Sequence, residues 1–213
     1  MFLTEKKDID EVVKALDKYK KIGIIGCASC ASICLTGGSM QVKEMQRYLS
    51  GINKEITFTI SIDEPCDLRV LKEDIRFVED ELKDTEAIVV LSCGTGVQTI
   101  GGFTGKKIVA GVNSKFIAQT EHIGEYNSLC QGCDECRLNF TGGVCTITLC
   151  PKGLLNGPCE GHDGIKCEVD EESQCVFMSS YVNMSRFSEE ENINKIFPPR
   201  DYSVKRHIKR IVI

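Results

Sequence analysis

The chain has 213 residues, 42% apolar and 27% charged, with a formal charge of −5. An acidic balance argues against a nucleic-acid partner, which is usually met by a basic surface. No apolar run approaches the roughly 18 residues of a membrane span, and Met1–Asp8 lacks the apolar stretch of a signal peptide. A soluble, cytoplasmic protein is expected.

In chain order, residues 8–21 place Ile9, Val12, Val13, Leu16 and Tyr19 on one helical face, with Asp8 as N-cap. Ile22–Gly26 follows as a short apolar run, expected to be a buried strand. Gln41–Ser50 carries Val42, Met45 and Leu49 at helical spacing and stops at Gly51. Ile56–Ile62 is β-branched and aromatic, as strands are. Leu68–Leu82 is expected to be helical through Leu71, Ile75, Val78 and Leu82. Ala87–Leu91 and Lys107–Val112 supply two further strands. Strands alternating with helices of this length imply a parallel sheet in an α/β fold of Rossmann or flavodoxin-like type.

The cysteines interrupt this pattern. There are 13, with no Trp, short of the roughly 8–10% of a secreted disulfide scaffold. Without a secretory context such cysteines read as metal ligands or redox thiols. Five lie within residues 1–93, none between 94 and 129, and eight between Cys130 and Cys175. An α/β domain over 1–125, a cysteine-rich metal-binding region over 126–180 and a C-terminal helix and tail over 181–213 are expected.

In the first region the cysteines follow the strands, where functional loops of such sheets sit. Cys27, Cys30 and Cys34 share the loop after the first strand, Cys66 follows the second and Cys93 the third. Several thiolates from one loop and one from elsewhere suit an iron–sulfur cluster. Cys93 or Cys66 can supply the fourth ligand. Cys93 is preferred, and Cys66 is read as a packed thiol. Gly94, Gly96, Gly101 and Gly102 do not form the dinucleotide fingerprint that opens a helix after the first strand.

In the second region apolar periodicity disappears. Between Cys130 and Cys175 nine residues are apolar besides cysteine, against seven Gly. That cannot offset a backbone ordering cost of roughly 1–2 kcal/mol per residue, so metal coordination is expected to hold the region together. Cys130-x₂-Cys133-x₂-Cys136 and a later Cys150-Pro151 resemble bacterial ferredoxin ligation. The fourth ligand stays open, because Cys145, Cys150, Cys159, Cys167 and Cys175 all compete. One partition joins Cys150 to the trio and leaves Cys145, Cys159, Cys167 and Cys175 for a second cluster or a structural zinc. His162 lies among them as a solvated loop histidine.

Ser188-Glu189-Glu190-Glu191 reads as a capping box that starts a short helix ended by Pro198-Pro199. The tail 200–213 interleaves five basic residues with Val204, Ile208, Ile211 and Val212, a docking segment for a partner subunit. No nucleophile elbow, metalloprotease helix, Walker loop or kinase signature is present, and no catalytic residue is assigned. Thiol redox catalysis at Cys27-x₂-Cys30 is conceivable, but the third cysteine favours a cluster.

The stretch from Thr148 through Cys150-Pro151-Lys152-Gly153 to Gly157-Pro158-Cys159-Glu160-Gly161 resembles the methylenetetrahydrofolate reductase C-terminal-domain family. Gly26–Cys30 through Gly38, Ser92–Gln98 and Cys167-Glu168-Val169 also resemble it. Glu160 stands where a second glycine is expected, and Val176-Phe177 where a Trp is expected. That family includes the small iron–sulfur subunit of the anaerobic, acetogen-type reductase. The resemblance implies two [4Fe–4S] clusters, with a third cluster or a zinc as a further centre. They would relay electrons from ferredoxin or another redox subunit to FMN on a separate catalytic subunit, which reduces 5,10-methylenetetrahydrofolate to 5-methyltetrahydrofolate in the acetyl-CoA pathway. The competing expectations are a zinc scaffold without redox function and a stand-alone electron carrier.

Overall fold

A computed structural model describes residues 1–133 and 135–200. The chain divides into two compact units, Met1–Ser128 and Leu129–Ile213. The first runs β1 (Phe2–Lys6), α1 (Ile9–Ala15), β2 (Lys21–Cys27), α2 (Cys30–Ile33), α3 (Ser39–Gly51), β3 (Glu55–Ile62), α4 (Leu68–Ile75) and α5 (Glu79–Asp84). It continues with β4 (Ala87–Leu91), α6 (Gly94–Thr104), β5 (Lys107–Ala110), β6 (Val112–His122) and β7 (Glu125–Ser128).

The expected parallel sheet is present, in the order β3-β2-β4-β5. Its strands are apolar on both faces because helices cover both. Ala87, Val89 and Leu91 of β4 join Val12, Leu16, Val42 and Leu49 on the side of α1 and α3. Ile88 and Val90 join Leu71, Ile75 and Ile100 on the side of α4 and α6. The chain leaves β2 toward β3 on one side and returns to β4 on the other. The crevice at the carboxyl ends of β2 and β4 is therefore the switch point, where such sheets place their ligands.

Several local expectations change. Asp8 does cap α1, its carboxylate accepting from the Asp10 N–H at 2.9 Å, but the helix is shorter than the apolar pattern. The helix expected over 68–82 is broken by a tight turn at Arg76–Val78. Val78 and Leu82 nonetheless reach the apolar cluster that Leu71 and Ile75 enter. The stop after α3 falls on Asn53 at φ 62°, not on Gly51.

The helix α6 was not legible, because Gly and Thr dominate its sequence and both are poor helix formers. Burial of Ile100 and a left-handed Gly105 at its end hold it instead. Also unforeseen is a three-stranded antiparallel sheet, β1-β6-β7, which ties the first residues to 112–128.

The second unit has little regular structure: α7 (Thr146–Leu149), α8 (Val176–Arg186) and short 3-10 turns at Leu138–Phe140 and Glu190–Asn194. The Ser180 hydroxyl donates to the Thr141 carbonyl at 2.8 Å and the Asn183 amide to the Gly142 carbonyl at 3.1 Å. Gly142 is at φ 57°, and a side chain there would collide with Asn183 and Met184 of α8. The capping box is not made: Ser188 is left-handed, at φ 57°, and no side chain caps the turn that follows. The expected docking tail lies, from residue 201 on, outside the described residues. No helix among the described residues is long and apolar enough to cross a membrane.

Candidate metal centres

In the first unit, β3, β2 and β4 are neighbours, so the loops after them share one edge of the sheet. Cys27 ends β2 in register with Ile62 of β3. Its thiol is buried and lies 3.8 Å from the Asp63 carbonyl, which it can donate to. Cys30 opens α2, half-buried. Cys93 is buried at the N-cap of α6, where Ser114 Oγ accepts from the Gly94 N–H at 2.8 Å.

Cys66 stands in the turn after β3. It is exposed to solvent on one side. Desolvation by its neighbours raises its pKa, and the nearby thiols of Cys93, Cys27 and Cys30 raise it further. Cys34 closes the helical turn that Cys30 opens, its N–H donating to the Cys30 carbonyl at 3.1 Å. Its sulfur accepts from the Thr4 N–H at 3.5 Å and lies 3.8 Å from the Phe2 carbonyl, beside β1. Cys66 thus lies near Cys27, Cys30 and Cys93, while the Cys34 sulfur faces β1.

Glycines make this edge compact. A side chain on Gly37 would collide with the Leu91 carbonyl, and one on Gly96 with Ser92. The cysteine loop after β2 can therefore lie directly on the end of β4.

In the second unit the eight cysteines line two hollows. One, of about 170 Å³, is lined by Cys130, Cys133, Cys136 and Cys145 together with Arg137 and Arg200. Gly132, at φ 61°, turns the loop so that its N–H donates to the Cys130 sulfur at 3.4 Å. The other, of about 20 Å³, is lined by Cys150, Cys159, Cys167 and Cys175, with His162. The Cys159 thiol donates to Glu168 Oε2 at 3.4 Å, and Lys152 pairs with the same carboxylate. His162 Nδ1 accepts from the Gly164 N–H at 2.9 Å.

The sequence partition joined Cys150 to the trio; the structure places Cys145 there and Cys150 in the second hollow. The reason is local. Cys145 is the N-cap and Cys150 the C-cap of the four-residue α7, and five steps of about 100° turn them about 140° apart around the helix. They face different hollows.

Arg137 and Arg200 were not singled out from sequence, although Arg137 directly follows Cys136. Arg137 is 9% exposed. Its guanidinium stacks 4.4 Å over the Phe197 ring and donates from Nη2 to the Pro198 carbonyl at 3.3 Å. Arg200 donates to the carbonyls of Cys133 and Glu135 at 2.9 and 2.6 Å. Arg137 Nη1 and Arg200 Nε are buried without a partner among the described residues.

All 13 cysteines are free thiols. Among the described residues no three His, Cys, Asp or Glu side chains are drawn together tightly enough to hold a single metal ion. The thiols instead edge hollows and loop ends.

An α/β unit joined to an irregular unit whose cysteines line two hollows is the class of protein these features define. Residues 109–203 match the family described as methylene-tetrahydrofolate reductase C terminal. Over that stretch, a little under half of the chain, the protein is similar to this family. The matched stretch includes all eight cysteines of the two hollows and both arginines, and none of the five cysteines of the first unit. Neither the curated proteins nor the solved structures give a match.

Proposed function

We propose that the chain is the electron-relay subunit of a methylenetetrahydrofolate reductase. The observation that carries this reading is the hollow of Cys130, Cys133, Cys136 and Cys145 with two guanidinium groups on its wall. Four thiolates around an iron–sulfur core carry net negative charge, and the orphaned Arg137 Nη1 is a buried donor in need of an acceptor. Leaving such a donor unpaired costs about 1–3 kcal/mol or more, so the donor set suits an anionic group in the hollow.

Those four cysteines would hold a [4Fe–4S] cluster, which when bound supplies one-electron transfer. Arg137 and Arg200 offset its charge and favour the more negative, reduced form, raising the potential. Leu138, Val144 and Ile147 on the same wall limit the access of water. Cys150, Cys159, Cys167 and Cys175 edge the smaller hollow and would hold a second centre, a cluster or a zinc, on drawing closer together than the structure has them. The flavin and the folate site belong to a catalytic partner, which reduces 5,10-methylenetetrahydrofolate in the cytoplasm. A ferredoxin or another redox subunit supplies the electrons.

The test is anaerobic purification with iron, zinc and sulfide measured per chain. Cys133→Ser should lose about four iron and four sulfide and the matching signal of the reduced cluster in electron paramagnetic resonance. A co-expressed reductase catalytic subunit should copurify with the chain, its flavin reduced by reduced ferredoxin only when the chain is present. Zinc without iron, in protein never exposed to air, overturns the relay and leaves a scaffold.

A further inference from the structure

We infer that the second unit binds a small, flat aromatic molecule carrying a negative charge, in the cavity between α8 and the segment 192–197. No cysteine lines this cavity, and the inference does not rest on the reductase reading.

The cavity has a volume of about 300 Å³ and lies wholly within the second unit. Native interiors leave few voids larger than a water molecule. This one reaches the lower end of the range of small-molecule sites, about 300–1,000 Å³. The unit has few apolar residues, and it places several of its largest around an open space rather than against one another. Packing of the unit by itself does not account for that.

One wall is a face of α8. Phe177, Tyr181 and Met184 recur at helical spacing and so share a side of the helix, and all three line the cavity. Phe140 and Phe197 also line it, their ring centroids 6.0 Å apart and their planes tilted by 50°. Ile193 and Ile196, 49% and 83% exposed, mark its mouth.

The wall is held in shape. The Asn156 side chain bridges both backbone groups of Phe197, Nδ2 donating to the carbonyl at 2.9 Å and Oδ1 accepting from the N–H at 2.8 Å. Arg137, which lines the hollow of Cys130, Cys133, Cys136 and Cys145, packs its guanidinium 4.4 Å over the same ring. The Gly157 backbone lies so close to the Phe177 ring that a side chain there would collide with it. Rings fixed in this way lose little freedom when a ligand enters.

The chemistry of the wall selects the ligand. Aromatic groups meet in offset-stacked or edge-to-face contact, and Phe140, Phe177, Tyr181 and Phe197 offer four rings to one space. Among the described residues one charged side chain lines it, Lys195. The Lys195 ammonium sits 3.2 Å over the Phe140 ring, a contact that leaves its N–H donors for an acceptor. Glu189, Glu190 and Glu191 precede this wall but do not line the cavity. A cation beside aromatic rings, with no carboxylate among the described lining residues, favours an anionic aromatic molecule over a neutral or cationic one.

The experiment uses the full chain, purified without air with its metal. The anionic probe is 8-anilinonaphthalene-1-sulfonate; the neutral one is N-phenyl-1-naphthylamine, the same rings without the sulfonate. Fluorescence titration should find one saturable site per chain. Lys195→Gln should weaken the sulfonate probe about five- to tenfold and leave the neutral probe unchanged, and Lys195→Arg should restore the affinity. Ile193→Trp, which fills the mouth from an exposed position, should abolish binding of both probes with circular dichroism and metal content as in wild type.

Unchanged sulfonate binding in Lys195→Gln, or equal weakening of both probes, overturns the charge selection. Binding that survives Ile193→Trp overturns the cavity as the site. Lys195 is exposed, so its variants decide the question even where the plugged variant misfolds. A chain without residues 201–213 should bind as the full chain does. If only the shortened chain binds, the cavity is a seat for the chain's own end and the proposal falls. Each readout is of binding alone, so a chain holding zinc in place of iron gives the same result, and the two readings fail separately.

Discussion

Arg200 donates from Nη1 to the carbonyl of Cys133 at 2.9 Å, so a residue near the end of the second unit clasps the backbone of its first cysteine loop. Nη2 of the same guanidinium reaches the Glu135 carbonyl. Sixty-seven residues separate the pair, and such a tie is informative in a unit with so little regular structure.

Arg137 performs the same role from within the loop. Arg137→Ala removes a buried cation from the Phe197 ring, an interaction of about 0.5–2 kcal/mol. The second unit should lose about 1–2 kcal/mol of stability in urea melts of the metal-loaded chain. The reduction potential of the first hollow's centre should fall. An unchanged potential would separate Arg137 from the site's electrostatics.

Metal removal should act unequally on the two units. The first has an apolar core on both faces of its sheet, whereas the second relies on α8 and a few side-chain ties. After chelation under denaturant-free conditions, amides of residues 129–200 should lose most of their hydrogen-exchange protection while those of β2 and β4 keep theirs. Equal protection throughout would show that the second unit folds without metal.

Gly37→Ala should be costly although the change is one methyl group. The new carbon would meet the Leu91 carbonyl and Ala31, and backbone cannot yield as a side-chain tip does. A loss of about 1–3 kcal/mol is expected, against little change for Gly102→Ala, where the space is open. Thermal melts of the two variants decide it.

Glu86 offers a pH test of the sheet's entry. Its carboxylate accepts from the backbone N–H groups of Lys20 and Lys21 at 2.6 and 3.1 Å. These bonds hold its pKa below the usual value of 4.5. A lowered folded pKa gives stability that is present above the unfolded pKa and lost as pH falls through the folded one. Glu86→Ala should therefore be less stable than wild type at neutral pH. The gap should narrow below about pH 4, as read from urea midpoints across the range.

The parallel sheet was legible because its strands are apolar on both faces and bounded by Gly and polar residues: Ile22–Gly26, Ile56–Ile62 and Ala87–Leu91 are all strands. The helix α6 was not, since its Gly and Thr positions favour a loop and only burial of Ile100 selects a helix. The ribbon of β1, β6 and β7 joins residues more than a hundred positions apart, which no local pattern reports.

By itself the sequence determined the α/β class and the concentration of cysteines after strands and in a stretch too poor in apolar residues to fold on burial alone. Tertiary structure decided how those cysteines are grouped. Spacing along a chain measures contour, whereas the direction each side chain takes around a helix decides which space it faces. That is why Cys145 and Cys150, at the two ends of α7, line different hollows. Cysteines dozens of residues apart, such as Cys27, Cys66 and Cys93, meet because adjacent strands bring their loops to one edge.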